Sequence, residues 1–427
     1  MPTSSLEPSM THDWQSDLDR VVATRFPSLV ALRRHLHMYP EPSGEECETS
    51  RYLSEWLAEI GCEVRIGTGQ RGLIADLPVA CDAPERSRVA LRADLDALHI
   101  QDAKQVAYRS RVDGVMHACG HDAHAALVAG ALVAIRDLEQ RKQLPWPVSV
   151  RGIFQPAEET CRGAREMIED GALEQIGAVF STHMDPLRGI GRIGLKQGVM
   201  TANCDEVLLT IRGRGGHAAR PHETSDPIAA AAQLINAIYL SLPRVTDSQD
   251  AVVTTIGQIS GGESANVIPE QVQLRGTVRT LDQKVREQTL EHIQRLADGV
   301  GQTSRTNITI SFGVGAPGVI NNPNLYDLVR WCTREVVGDK GLDSLSRPSM
   351  GSEDFAFYLQ QIPGFMIRIG CLTADAHPTP LHTPEFDIDE QAIEIGARIL
   401  ARIVIHWSDP NRLQCEDATS SELGAGI

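Results

Sequence analysis

The stretch from His117 to His124 reads HACGHDAH and gathers three histidines, a cysteine and an aspartate into eight residues. No helix or strand needs that composition for packing. Thiolate and imidazole are the two donor types that suit zinc and the middle of the transition-metal series. Along extended backbone, side chains alternate, so Cys119 and His121 can face one side, whereas on a helix the pair would diverge. That predicts a loop. The HAALVAGALVAIRDLEQ that follows has apolar helical spacing and predicts a helix from about His124. The competing reading is a polar loop with a chance cysteine, and the candidate ligands that recur downstream weigh against it.

Three predicted strands carry those further candidates. The strand over 88–92 runs into Asp94 and Asp96, that over 148–154 into QPAEE with Glu158 and Glu159, and that over 178–182 into His183. In open α/β sheets the ligand crevice lies beyond the carboxyl ends of the strands. Adjacent carboxylates point in different directions, so Glu158 and Glu159 can do two jobs: one an oxygen donor for a metal, the other a proton carrier. Loop capping by Asp94 and Asp96, and a solvated helix start for the two glutamates, are the plain alternatives. His382, in LHTPEFDID before a predicted helix over 389–406, is another plausible ligand.

Upstream, the spacing predicts helix over 14–38 with Pro27 marking a break or a second helix start, and Arg33, Arg34, His35 and His37 read as capping, solvated cations at a helix end, with a functional cluster as the alternative. Ser43 and Glu46 read as a capping box opening a helix that Gly61 stops. From 203 to 312 the pattern changes to strand, glycine-rich turn, helix, two strands, helix and strand, which reads as a small α+β sandwich inserted into a larger α/β domain. The domain expectation is therefore 1–202 and 313–410 for the larger body, 203–312 for the insert and 411–427 for a polar tail, with a disordered leader over 1–12.

The chain has 427 residues, ample for two domains, and a net charge of −16 that repels nucleic acid and anionic membrane surfaces. Its nine cysteines are scattered singly. Together with a polar start lacking an apolar run, this predicts a reduced, cytoplasmic, soluble protein, and no segment is expected to cross a bilayer.

With these residues in view the chain resembles the M20 metallopeptidases. The branch it is similar to holds hippurate hydrolase, N-acyl-amino-acid amidohydrolases and plant auxin-conjugate hydrolases. The motifs occur in family order: RADLDAL at 92–98, HACGHDAH at 117–124, QPAEE at 155–159, His183, GRGGHAARPH at 213–222, SANVIP at 264–269, GSEDF at 351–355 and LHTPEFDID at 381–389. The resemblance implies a mixed-sheet catalytic domain with helices on both faces and an inserted lid and dimerisation domain. It implies two divalent metal ions per subunit (zinc, manganese, cobalt or nickel) held by Cys119, His121, Glu159, His183 and His382. Glu158 would be the general acid/base and Asp96 would orient a ligand. His217 would polarise the substrate carbonyl, often across a homodimer, and Asn266 would touch the substrate, a small N-acyl amino acid or amide. His99, Ala123 and Thr160 depart from the usual pattern without removing a ligand, and they bear on the pocket. Two other readings stand beside this one: a thiol hydrolase with Cys119 as nucleophile and His117 or His121 as its base, and a metal-bearing binding protein without catalysis.

Overall fold

The computed structural model describes residues 13–78, 88–313, 315–374 and 377–411. The expected leader and nearly all of the expected tail lie outside them. The chain runs through α1 (Trp14–Met38), α2 (Cys47–Glu59), β1 (Glu63–Ile66), β2 (Leu73–Asp76), β3 (Val89–Asp94), α3 (His121–Gln140), β4 (Val150–Gln155), α4 (Gly163–Glu169), β5 (Ala178–Gly189) and β6 (Ile193–Leu195). It continues with β7 (Gly198–Val199), β8 (Asn203–Arg212), β9 (Gly216–His217), α5 (Pro227–Val245), β10 (Val252–Ser260), β11 (Val267–Ile268), β12 (Gln271–Thr280), α6 (Gln283–Ser304) and β13 (Asn307–Phe312). Last come β14 (Ile320–Asn321), α7 (Tyr326–Gly341), β15 (Leu342–Ser344), α8 (Ala356–Leu359), β16 (Gly364–Leu372) and α9 (Gln391–Trp407). Two compact units result: one takes the chain up to Lys196, Asn321–Leu345 and Tyr358 onward, the other Gln197–Ile320 with Ser346–Phe357.

The first unit is a mixed α/β domain around an eight-stranded sheet in the order β1-β2-β4-β3-β5-β16-β6-β15. Its centre is parallel: β3 pairs β4 and β5, and β5 pairs β16. Every residue of β3 and β4 is buried, as parallel strands covered on both faces must be. Their register sets Asp94 opposite Gln155, so the residues following both strands emerge at one edge of the sheet. Helices α1, α3 and α9 pack on one another, and α3 is apolar on nearly all sides because it is the central helix.

Three local expectations are corrected here. Pro27 does not break α1, which runs unbroken because Leu18, Val21 and Val22 before it and Leu29, Leu32 and Leu36 after it are all in the core. Helix α3 starts at His121, three residues earlier than expected, because Gly120 takes φ +87° and turns the chain directly into the helix. A Cβ there would also lie 2.9 Å from Met184 Cγ, so the tight turn and the close approach both call for glycine. Strand β5 continues through His183 to Gly189 rather than ending before it, held by its parallel pairing with β16.

The second unit is an antiparallel sheet in the order β10-β12-β8-β13 with α5 and α6. Alternate residues of β8 are buried, so one face of the sheet forms the core with Ala230, Ala231, Leu234, Ile238 and Leu242 of α5. Asp226 opens α5 by accepting from Ile228 N and Ala229 N, with Pro227 in the first turn. By length and composition alone α5 passes as a candidate membrane span, although Gln233, Asn236 and Arg244 interrupt its apolar run, as the sequence leads one to expect. In the fold α5 packs its apolar face into the core of its unit together with Ile293, Ala297 and Val300 of α6.

Candidate active site

Each candidate histidine is steered by the partner of one ring nitrogen. His121 Nδ1 lies 2.9 Å from the Asp96 carbonyl oxygen and 3.1 Å from Asp96 Oδ1. A carbonyl only accepts, so Nδ1 carries the proton and the buried Nε2, which has no hydrogen-bond partner, is left as a donor of electrons. His183 Nδ1 likewise donates to the Met184 carbonyl at 2.8 Å and turns Nε2 to within 3.5 Å of Cys119 Sγ. His124 is the opposite case. The Met184 N–H donates to its Nε2 at 2.8 Å while its Nδ1 donates to Asp94 Oδ1 at 2.6 Å. Both ring nitrogens are committed, so His124 and Asp94, although close to His121, brace it rather than join it as ligands. Arg92, fully buried, holds the other Asp94 oxygen at 2.6 Å.

The ligand atoms of Cys119, His121 and His183 lie within 4.8 Å of one another, and so do those of Cys119, Glu159 and His382. These two trios share the cysteine sulfur. His382 takes φ +61° in its loop, its N–H donates to the Ala118 carbonyl, and its Nε2 lies 3.2 Å from Glu159 Oε1. Glu158 Oε2 lies 4.0 Å from His121 Nε2, and the donor atoms of His121, Glu158 and Glu159 also lie within 4.8 Å of one another. Asp96 ties two elements together: one oxygen meets the His121 ring and the other accepts the Glu159 N–H at 2.9 Å.

Hydrogen bonds to Cys119 and Glu159 push His382 up to about 10. Burial would lower His121, yet Asp94, Cys119 and Asp96 hold it well above the imidazole range. His183 goes the other way, well below that range, through burial and the nearby Arg368. A cysteine sulfur, three imidazoles with nitrogens aimed inward and a carboxylate fit divalent cations of the zinc type.

Of the other candidates, His217 on β9 and Asn266 in the turn before β11 lie in the second unit, where Val267 pairs with His217 and the Ala218 N–H donates to the Asn266 carbonyl. His217 is exposed, and its Nδ1 accepts the Ala219 N–H at 3.0 Å.

The sequence reading missed what supports this cluster. Arg33, read as a helix-end cation, is 1% exposed and pairs with Asp122 at 2.8 Å, Asp387 at 2.8 Å and Glu390 at 3.3 Å. His37, also buried, donates from Nδ1 to the same Asp122 oxygen at 2.8 Å. Burial alone would raise the Asp122 carboxyl, but Arg33 and His37 hold it well below the carboxylate range. That stability is complete above the ordinary carboxylate value and is lost as pH falls below it. Arg33→Met is therefore expected to cost about 3–5 kcal/mol at neutral pH, because it strands buried carboxylates. The deficit should narrow as pH drops toward 4, where Asp122 in the variant takes up a proton. Urea midpoints of both proteins at pH 7 and pH 4 check this, and a deficit independent of pH would refute it.

The chain matches the model of Peptidase family M20/M25/M40 over residues 90–406. A probable hydrolase of Synechocystis sp. is 38% identical over 386 residues, covering 90% of this chain and 97% of that protein. An N-acetylcysteine deacetylase of Bacillus subtilis is 35% identical over 389 residues, covering 91% and 98%. The crystal structure of the Bacillus subtilis YXEP protein, described as a dinuclear metal binding peptidase from the M20 family, superposes with a TM-score of 0.74 at 33% identity, covering 90% of this chain and 98% of that one. The family match takes in the whole cluster from Asp94 to His382, and this chain therefore belongs to peptidase family M20/M25/M40.

Proposed function

We propose that this protein hydrolyses the amide bond of small N-acyl amino acids or related amide conjugates by water attack at a centre of two divalent cations. Cys119, His121, Glu159, His183 and His382 would hold the cations. The observation that carries the reading is the placing of the adjacent glutamates: Glu159 lies 3.2 Å from His382, while the buried Glu158 stands 4.0 Å from His121 Nε2, a longer approach than its neighbour makes. When bound, the cations supply Lewis acidity that makes a water nucleophilic at neutral pH and polarises the scissile carbonyl. Glu158 takes the proton from the attacking water and returns it to the leaving amine nitrogen. Asp96 keeps His121 in the tautomer whose Nε2 is free to ligate. The thiolate favours zinc, whereas the imidazoles and carboxylate also accept manganese, cobalt or nickel. A relative named as an N-acetylcysteine deacetylase supports a small N-acyl amino acid as substrate. A panel of N-acyl amino acids offered to zinc- and manganese-loaded protein tests it, and absence of turnover on the whole panel would sink the substrate class.

The second unit serves in this reading as lid and dimerisation domain. Strand β10 is an edge of its sheet, and Leu240 (72% exposed) and Ile259 (59%) leave apolar surface on α5 and β10, the kind of surface a second copy would cover. His217 would donate a hydrogen bond to the oxyanion of the tetrahedral intermediate, and Asn266 would touch the substrate. His217→Ala is expected to lower turnover by about 10²-fold with a much smaller change in KM. A rise in KM at constant turnover would make it a binding residue instead. If it serves the partner's site, mixing His217→Ala with Glu158→Gln protein under subunit exchange restores turnover. The acidic, cysteine-scattered chain fits the cytoplasm.

A further inference from the structure

Glu46 is fully buried at the amino end of α2. The capping box expected with Ser43 does not form, and no side-chain hydrogen bond caps the helix. Glu46 Oε1 instead accepts two backbone N–H groups, from Gly44 at 2.7 Å and from Ala157 at 2.9 Å. Ala157 is the residue before Glu158 and takes φ +52°. That left-handed conformation costs a residue with a Cβ roughly 1–2 kcal/mol, so something must hold it. On the other side of Glu158, the Glu159 N–H ends on Asp96 Oδ2. The two peptide N–H groups flanking Glu158 are thus each gripped by a buried carboxylate, one from α2 and one from the loop after β3. The turn is closed beyond them by Cys161 N donating to the Glu158 carbonyl at 2.8 Å and Gly163 N to the Ala157 carbonyl at 3.2 Å. Gly163 packs so tightly here that a Cβ would fall 1.5 Å from the Pro156 carbonyl oxygen. Among the described residues, Glu46 belongs to no group of donors able to hold a cation.

We propose that Glu46 is a positioning residue for the proton carrier: by holding the Ala157 N–H it keeps that residue left-handed and so fixes the direction in which Glu158 leaves the backbone. The inference rests on Glu158 being the proton carrier. Without the Glu46 oxygen, Ala157 is free to relax to a right-handed or extended conformation, which swings the next side chain away. Misplacement of a reacting group by about 1 Å costs about 10²-fold.

The test is made on the full-length, metal-loaded protein. Glu46→Ala is expected to lower kcat about 10²-fold, leave KM and metal content unchanged, and speed amide hydrogen exchange of the segment 155–163 by about tenfold or more. Glu46→Gln keeps an acceptor oxygen in place and should recover most of the lost kcat. Adding Ala157→Gly to Glu46→Ala should recover part of it, since glycine adopts positive φ without steric cost, whereas a mere packing defect would not respond. If Glu46→Ala does not fold, Glu46→Asp, which withdraws the oxygens by one methylene, takes its place with the same expected readouts. Metal-replete variant with wild-type kcat and wild-type exchange over 155–163 overturns the proposal. So does loss of metal in step with kcat, which would make Glu46 a prop for the ligands. A wild-type protein inactive on the substrate panel, or an active Glu158→Gln, would instead sink the hydrolase reading, and the exchange of 155–163 then decides on the clamp alone.

Discussion

Glu158→Gln is expected to lower turnover by roughly 10²–10⁴-fold, or about 3–5.5 kcal/mol in the barrier, with metal content unchanged. The substitution keeps the shape of the side chain, so the packing around QPAEE is preserved. What it removes is the ability to take a proton from water and give it to the amine. Glu158 is the residue to test because its neighbour Glu159 is drawn to His382 at 3.2 Å, while Glu158 Oε2 stands 4.0 Å from His121 Nε2. Loss of metal in the variant would place Glu158 among the ligands. Retained turnover in a metal-replete variant would rule it out as proton carrier. Turnover and bound metal must be measured on the same preparation, because only the pair of values separates these outcomes.

Removing the metals is expected to abolish turnover completely and reversibly, with recovery on adding back zinc or manganese. The same treatment should lower thermal stability. A ligand present at about 1,000 times its dissociation constant stabilises the folded state by about 4 kcal/mol, and that contribution disappears on chelation. The fold gives a reason to expect coupling: the donors come from the loop before α3 and its first residue, the loops after β4 and before α9, and β5, so cations bound there would tie together segments distant in the chain. Cys119→Ser should show the partial version, with weakened metal binding and reduced turnover. The thiol-hydrolase alternative predicts the reverse pattern, since a cysteine nucleophile survives chelation and fails on losing its sulfur. Activity that persists in protein shown to be metal-free would decide for it.

How far the sequence could be read differs between the donors and their supports. Cys119, His121, Glu159, His183 and His382 stood out because a thiol, imidazoles and a carboxylate gathered in loops and beside predicted strand ends have little reason to be there for packing. That Glu159 and His183 come together follows from the parallel register of β3, β4 and β5, which apolar strand runs alternating with helices announce. Arg33 and His37 read in the sequence as helix-end cations, and Glu46 as half of a capping box with Ser43. Each lies beside a helix end, where local rules assign a local partner, and each instead bonds to a residue far along the chain. Glu46 and Ala157 are 111 positions apart, and Arg33 and Asp122 are 89. Pro27 was misread for a similar reason, because core packing along α1 outweighs one lost backbone hydrogen bond.

The order and chemical kinds of the side chains, the alternation of strand and helix, and the change of pattern near residues 203 and 312 are properties of the chain itself, since they need only local periodicity and composition. Which nitrogen of each histidine is free, which carboxylate faces the donors, and what holds Glu158 in its direction are properties of the folded molecule alone. Each is set by a hydrogen bond to a partner brought up by packing, and buried polar groups take the partner that the fold supplies.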